Sequence, residues 1–284
     1  MKKYIATGTI FSSFFQFSHA AKEGVSPKAY ELTELPLGLP ITNSMLTAWI
    51  VSLILILVVR KVVKSPRLIP SKGQALFEVM VDGMKSLIKP IVGDKMVRHT
   101  LPLIVTLFFF ILIHNWTGLL PTVAAFGHYN GEDFLYYFRP ANSDLNNTIA
   151  LAVVAMVCWL FLVLKHAGIK TLLFDVFGNK ADKKETPRIF YLCLFPLFLV
   201  VGFVELLSIS IRPVSLSLRL FGNIFGGESL LDKMLTMTQW YIPVAFPFYF
   251  FELMVGFVQA LVFVILVSVY IGLVCNHESH DAHH

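Results

Sequence analysis

Apolar residues fall along this chain in blocks, and the length of each block between its polar borders predicts the elements. The first block, Met45 to Val59, stops at Arg60 and Lys61, with Lys64 and Arg67 beyond. Pro66 and Pro70 break any helix there. From Gln74 to Met96 the pattern turns amphipathic, with Leu76, Val79, Met80, Met84, Leu87 and Ile88 at helical spacing and charges on the other face. That stretch is too charged to cross a bilayer and predicts an interfacial helix. Blocks from Leu101 to Leu120 and from Leu145 to Leu164 are each about the 20 residues a membrane span needs. A polar loop, Gly127 to Asp144, separates them.

After Ile189 the pattern changes. Ile189 to Met237 is almost continuous helix-compatible sequence. As one helix it would run about 70 Å, against a hydrocarbon core of about 30 Å. It either breaks near Pro213 into two spans or lies steeply tilted with a bend. A further apolar run, Val244 to Val274, is also longer than one span requires. Hydropathy alone leaves four upright helices and two long tilted ones both open.

Composition agrees with the blocks. The chain has 284 residues, of which 56% are hydrophobic and only 14% charged, and its mean hydropathy is +0.71. A soluble domain is nearer a quarter charged. The expected class is therefore an all-α polytopic membrane protein with the lipid bilayer as its solvent. Cys158, Cys193 and Cys275 sit in or at the end of apolar runs, without a CxxC pair, and read as small buried hydrophobes. Nothing points to nucleic acid.

Charge placement predicts orientation. Basic residues crowd the segment between the first two spans (Arg60, Lys61, Lys64, Arg67, Lys72, Lys85, Lys89, Lys95 and Arg98) and the loop after the third (Lys165, Lys170, Lys180, Lys183, Lys184 and Arg188). The loop between them has Arg139 against Glu132, Asp133 and Asp144. The first two are expected in the cytoplasm and the third outside, which puts the N-terminus outside and the C-terminus inside. The N-terminus reads independently as a secretory signal. Lys2 and Lys3 precede an apolar stretch, and Ser18-His19-Ala20 offers a cleavage site. The expected organisation is a signal peptide over 1–20, an external segment over 21–44 and one membrane domain over 45–284, in a bacterial inner membrane.

Chemistry concentrates in the long helical stretch. Glu205, Ser208, Arg212, Ser215, Arg219, Asn223 and Gly226 follow one another at steps of three or four and line up on one face of a helix. Gly222, Gly226 and Gly227 remove bulk at the same level. Glu252, Gly256 and Gln259 repeat the spacing in the last apolar run. An intramembrane arginine costs about 2.5 to 3.5 kcal/mol on insertion scales and marks a functional site by default. Blander roles exist for the parts. Glu205 can pair structurally with Arg212, Ser208 and Ser215 can bond carbonyls of their own helix, and Asn223 and Gln259 can tie two helices together. A stripe holding two arginines is a costly way to do only that, and it suits a proton or ion path.

The run PVSLSLRLFGNIFGGE, within Ser208 to Glu228, resembles the signature of subunit a of the F-type ATP synthase. The likeness extends over roughly Leu101 to Tyr270 through the LLP after the second span, the SDLNNT entering the third and the glutamine of the last helix. It implies five membrane-embedded major helices, the last two a long tilted hairpin, beside the amphipathic interfacial helix. By position it makes Arg219 the essential arginine of translocation, which is not a chemical catalyst. Asn223, Glu228, Glu252, Gln259, Asn115, Asp144 and Asn146 then fall on the external ion path, and Glu205, Ser208, Arg212 and Ser215 on the cytoplasmic one. Gly118 stands where some relatives carry an acid.

The resemblance implies a stationary, non-catalytic proton-channel subunit with two offset half-channels. Its expected partners are a c-ring, b-type peripheral stalk subunits and, indirectly, a catalytic head. No phosphate-binding loop is present, and neither cofactor nor metal is expected. The competing class is an independent channel or secondary transporter, but no internal repeat supports it. An intramembrane enzyme using His114, Cys158 or the terminal histidines lacks any HExxH or nucleophile–base spacing. The His-rich end, His277, His280, His283 and His284, is expected in solvent.

Overall fold

The computed structural model describes residues 29–34, 40–63, 70–120, 127–130, 133–166, 168–169, 188–237 and 242–275. Expectations for the signal peptide and its cleavage site, for most of the basic loop over 165–188 and for the terminal histidines fall outside these residues. Among the described residues six long helices carry the fold: α1 (Asn43–Val63), α2 (Lys72–Val92), α3 (Asp94–Thr117), α4 (Leu145–His166), α5 (Arg188–Met237) and α6 (Ile242–Cys275). Five of them, all but α2, are long and apolar enough to cross a membrane. The chain divides into two compact units. One takes residues 1–74, 108–148 and 218–262, and the other takes 75–107, 149–217 and 263–284.

Among the described residues two short antiparallel strand pairs lie outside the helices. Strand β1 (Glu31–Glu34) pairs with β2 (Pro40–Thr42), and β3 (Gly127–Asn130) pairs with β4 (Asp133–Tyr136). Neither shows in the hydropathy. The first feeds directly into α1, where the Thr42 hydroxyl accepts the Met45 backbone N–H at 3.4 Å and caps the helix start. α1 closes on Arg60 and Lys61, cations that suit the negative end of a helix. Its flank of Trp49, Leu53, Ile54, Ile56 and Leu57 is exposed, as a lipid-facing helix requires.

α2 is the interfacial helix of the sequence pattern, but it is shorter than expected. It ends at Val92, and Met96 belongs to α3. Gly93 makes the corner with φ 85°, a left-handed conformation that favours glycine. Its N–H bonds the Lys89 carbonyl, and its own carbonyl receives the N–H groups of Met96 and Val97. One residue thus closes one helix and opens the next, which a reading of apolar spacing alone runs through. α2 buries Gln74, Met84, Ile88 and Val92 and leaves Glu78, Asp82, Lys85 and Lys89 exposed.

α5 is unbroken over 50 residues, straight through Pro196 and Pro213. The alternative of two upright spans broken at Pro213 does not occur. Proline removes one backbone hydrogen bond, and membrane helices tolerate that loss because neighbouring groups re-satisfy the freed carbonyl. At 1.5 Å per residue the helix is about 75 Å long, so a bilayer accommodates it only at a strong tilt or with a long extension beyond the lipid. α6 buries Ala260, Phe263, Val264, Val267, Ile271 and Val274 on one face.

In the second unit, the Trp159 indole N–H donates to the Tyr270 carbonyl at 2.8 Å, and Gly272 of α6 packs directly against the Ile91 carbonyl of α2. In the first, Phe108 meets Phe257 edge-on at 6.0 Å between ring centroids. Cys158 is half-buried, not enclosed as its apolar setting suggested.

A side chain at position 272 has nowhere to go, because the obstacle is rigid backbone. Gly272→Val is expected to destabilise the protein by about 1 to 3 kcal/mol, the usual cost of overpacking. A lower midpoint of thermal unfolding in detergent, relative to the parent chain, checks it.

Candidate functional site

The polar groups of the first unit converge on the segment just before α4. Residues 141–143 form a buried 3-10 turn, and Asp144 caps α4. One Asp144 carboxylate oxygen accepts the Asn146 N–H at 3.0 Å, and the other accepts the Ser44 hydroxyl of α1 at 2.6 Å. Asp144 therefore fixes α4 to α1. The Asn146 side chain is exposed, so of the residues expected on the external path it joins this cluster only through its backbone.

Amides connect the same turn to α3 and α6. Asn147 donates to the Asn142 side-chain oxygen at 3.2 Å, and Asn142 donates to the Asn115 oxygen at 2.7 Å. Asn115 in turn donates to the Gly256 carbonyl at 2.9 Å. Asn115 can come this close because position 256 has no side chain; a Cβ there would sit 3.2 Å from the Asn115 Cβ. The Trp116 indole adds a bond to the Leu253 carbonyl at 3.2 Å. Gly118 is equally constrained, since a Cβ there would press on Pro140 at 3.0 Å. The position that carries an acid in some relatives is closed to a side chain here.

Two carboxyl groups are neighbours here. Glu252 of α6 lies over Gly227 of α5, so closely that any side chain at position 227 would coincide with its carboxyl group. Glu228 follows immediately and is an electrostatic neighbour of Glu252. The Ser143 hydroxyl donates to Glu228 at 2.5 Å. Behind it stands Arg139, only 6% exposed, whose guanidinium donates to the Ser143 hydroxyl at 3.1 Å and to its carbonyl at 3.3 Å. The Arg139 backbone N–H bonds the Thr47 hydroxyl of α1 at 3.1 Å. Sequence reading took Arg139 only as a loop charge and passed over Ser143, Asn142 and Ser44. The one local signal was a cation set in the short run FRPANSD that enters α4.

The stripe on α5 divides by exposure. Leu216, Leu220, Ile224, Gly227 and Leu231 are buried, while Arg219, Gly222, Asn223 and Gly226 are exposed. A Cβ at Gly222 or Gly226 would meet nothing within 4 Å. Arg219 thus stands on an outward face beside a strip without side chains. Asn223 reaches back from that face and donates to Gln259 of α6 at 2.7 Å, the helix-to-helix tie considered for this pair.

In the second unit, Arg212 bonds Glu205 at 3.2 Å, the structural pairing weighed for Glu205, and its guanidinium lies 4.6 Å from the centre of the Tyr270 ring. Ser208 is exposed and Ser215 half-buried on the same helix. Among the described residues, no group of three or more metal-ligating side chains occurs.

This arrangement can exchange protons at paired carboxyls and hold a fixed cation toward a neighbour. The family model described as ATP synthase A chain matches residues 45–272. The chain belongs to this ATP synthase family. A curated relative named ATP synthase subunit a, from Gloeobacter violaceus, is 32% identical over 242 residues, covering 85% of this chain and 86% of the relative. As an ATP synthase A chain the protein is a proton-translocating, multi-pass subunit of the membrane sector, and not the catalytic one.

Removing the amide hub should be felt on both helices it joins. Asn115→Leu leaves the Gly256 carbonyl and Asn142 without their partner, at about 1 to 3 kcal/mol for buried unsatisfied groups. A fall in the yield of assembled, membrane-extracted protein together with a lower unfolding midpoint checks this expectation.

Proposed function

We propose that this A chain is the stationary wall of a rotary motor, passing protons to and from the carboxylates of a c-ring through two offset half-channels that Arg219 keeps apart. The observation that carries the proposal is the exposure of Arg219 on a face where Gly222 and Gly226 leave open space. A rotor helix bearing a carboxylate can lie against that face, because the glycine strip lets its backbone come close.

The chemistry follows from desolvation. A carboxyl group facing hydrocarbon must be protonated, because burial penalises its charged form. Opposite Arg219 it ionises, since the guanidinium offsets the lost hydration. The proton it releases or takes up travels by Glu228 and Glu252, with Asn223, Gln259, Asn115 and Asp144 ordering the external path. The cytoplasmic path runs by Ser208 and Ser215 to the Glu205–Arg212 pair. Arg219 blocks direct passage by repelling a proton that tries to cross. One elementary charge crossing 100 mV yields about 2.3 kcal/mol, so several steps combine to drive ATP formation in a separate catalytic head. By the distribution of Lys and Arg, the N-terminus lies outside a bacterial inner membrane and the C-terminus in the cytoplasm. The b-type peripheral stalk holds the chain against rotation.

Arg219→Ala is expected to abolish ATP-driven proton pumping in inverted membrane vesicles while the complex still assembles. Coupled pumping that survives the substitution would discard the proposed role. Glu228→Gln and Glu252→Gln are each expected to slow passive proton flow through membranes stripped of the catalytic head. Unchanged flow in both variants would move the external path elsewhere.

A further inference from the structure

Arg139 is a permanent cation, buried beside a path in which it exchanges no proton. Its place is fixed from two sides. The backbone N–H is held by the Thr47 hydroxyl of α1, and that hydroxyl gives its one hydrogen to the Asn43 carbonyl at 2.9 Å. The guanidinium reaches forward over the buried turn to both the carbonyl and the hydroxyl of Ser143. Thr47, Arg139, Ser143 and Glu228 all belong to the first unit.

These bonds decide where Ser143 points its hydrogen. A guanidinium only donates, so it occupies a lone pair of the Ser143 oxygen. The one hydrogen of that hydroxyl is left for Glu228, whose carboxyl oxygen lies 2.5 Å away. Ser143 is therefore a fixed donor, where an exposed serine would turn freely. The charges around Glu228 are of both signs. Glu252 of α6 and Asp232, four residues along α5, are acids, and Arg139 acts on the same carboxyl as a cation. Glu252 rests against Gly227 instead, so the two neighbouring carboxyls are held by different means.

We propose that Arg139 is a positioning residue of the proton path. Through Ser143 it aims a fixed hydrogen-bond donor at Glu228, and it places a fixed positive charge behind that donor. The inference rests on the reading in which Glu228 exchanges protons. Glu228 titrates, Ser143 orients it, and Arg139 sets Ser143 without touching the moving proton. A merely structural Arg139 would serve the turn alone, by its bond to the Ser143 carbonyl.

ATP-driven proton flow through the intact complex in inverted vesicles, measured across pH, tests this. Arg139→Gln is expected to slow flow about tenfold, the usual worth of a hydrogen bond involving a charged group. Loss of a fixed cation favours the protonated form of a nearby carboxyl, so the midpoint of the pH profile is expected to move to higher pH. The catalytic head is the same in every variant, so the shift belongs to this chain. Parental flow, or slower flow with an unmoved midpoint, overturns the proposal. In a Glu228→Gln background, Arg139→Gln is expected to add no further loss, because its effect runs through the missing carboxylate. A further loss as large as in the parent overturns it. Should Arg139→Gln not assemble, Ser143→Ala decides, since it keeps the guanidinium bond to the carbonyl. The same slowing is expected, and parental flow overturns the proposal. Slow flow in Glu228→Gln beside parental flow in Arg139→Gln sinks this inference alone, whereas parental flow in Glu228→Gln sinks the reading beneath it.

Discussion

A polar group placed in hydrocarbon has to be answered from within the protein or its assembly, and that constraint orders this molecule. Several polar side chains of its first unit are joined across three helices and a buried turn. Arg139 bonds Ser143, Ser143 bonds Glu228, Asn142 bonds Asn115, and Asn115 bonds α6. Each link leaves a donor or acceptor satisfied without water. A network of this kind is rigid because releasing any one member strands its neighbours. It therefore holds Glu228 and Glu252 in register with each other, where a softer apolar core would let two long helices slide.

The two arginines of the α5 stripe differ in exposure. Arg212 is satisfied within its own subunit by Glu205 on the next turns of the helix and by the face of Tyr270. Arg219, two turns along, stands on an exposed face next to glycines. Leu197, Leu199, Val200, Val201, Phe203 and Val204 of α5 are exposed, whereas Leu216, Leu220, Ile224 and Leu231 are buried.

How much of this was legible in the sequence depends on the range over which the information acts. The spans follow from hydropathy because a bilayer imposes one length on every crossing helix, and the polar stripe follows from the 3.6-residue period. The Gly93 corner was missed because a single left-handed glycine leaves no mark on apolar spacing. The continuity of α5 through Pro213 was left open because proline's effect on a helix depends on what surrounds the freed carbonyl. Arg139, Ser143 and Asn142 were missed for a different reason. Thr47, Asn115 and Glu228, which bond them, lie on helices far away along the chain, and nothing local separates a loop arginine in water from a buried one.

The arrangement of Glu252 over Gly227 gives this limit its sharpest form. Glycines at 222, 226 and 227 look alike in sequence, and all were read as space for helix packing. Only Gly227 faces inward, where its missing side chain is the cavity that the Glu252 carboxyl fills. The other two face outward and leave space that the chain itself does not use. One glycine therefore brings a titratable group of α6 against the backbone of α5, beside Glu228, and the others admit a neighbour beside Arg219. Close approach of backbones serves two ends on opposite faces of the same helix. The carboxyl group of Glu252 is thereby held within the subunit, while Arg219 stands on the exposed face of the same helix.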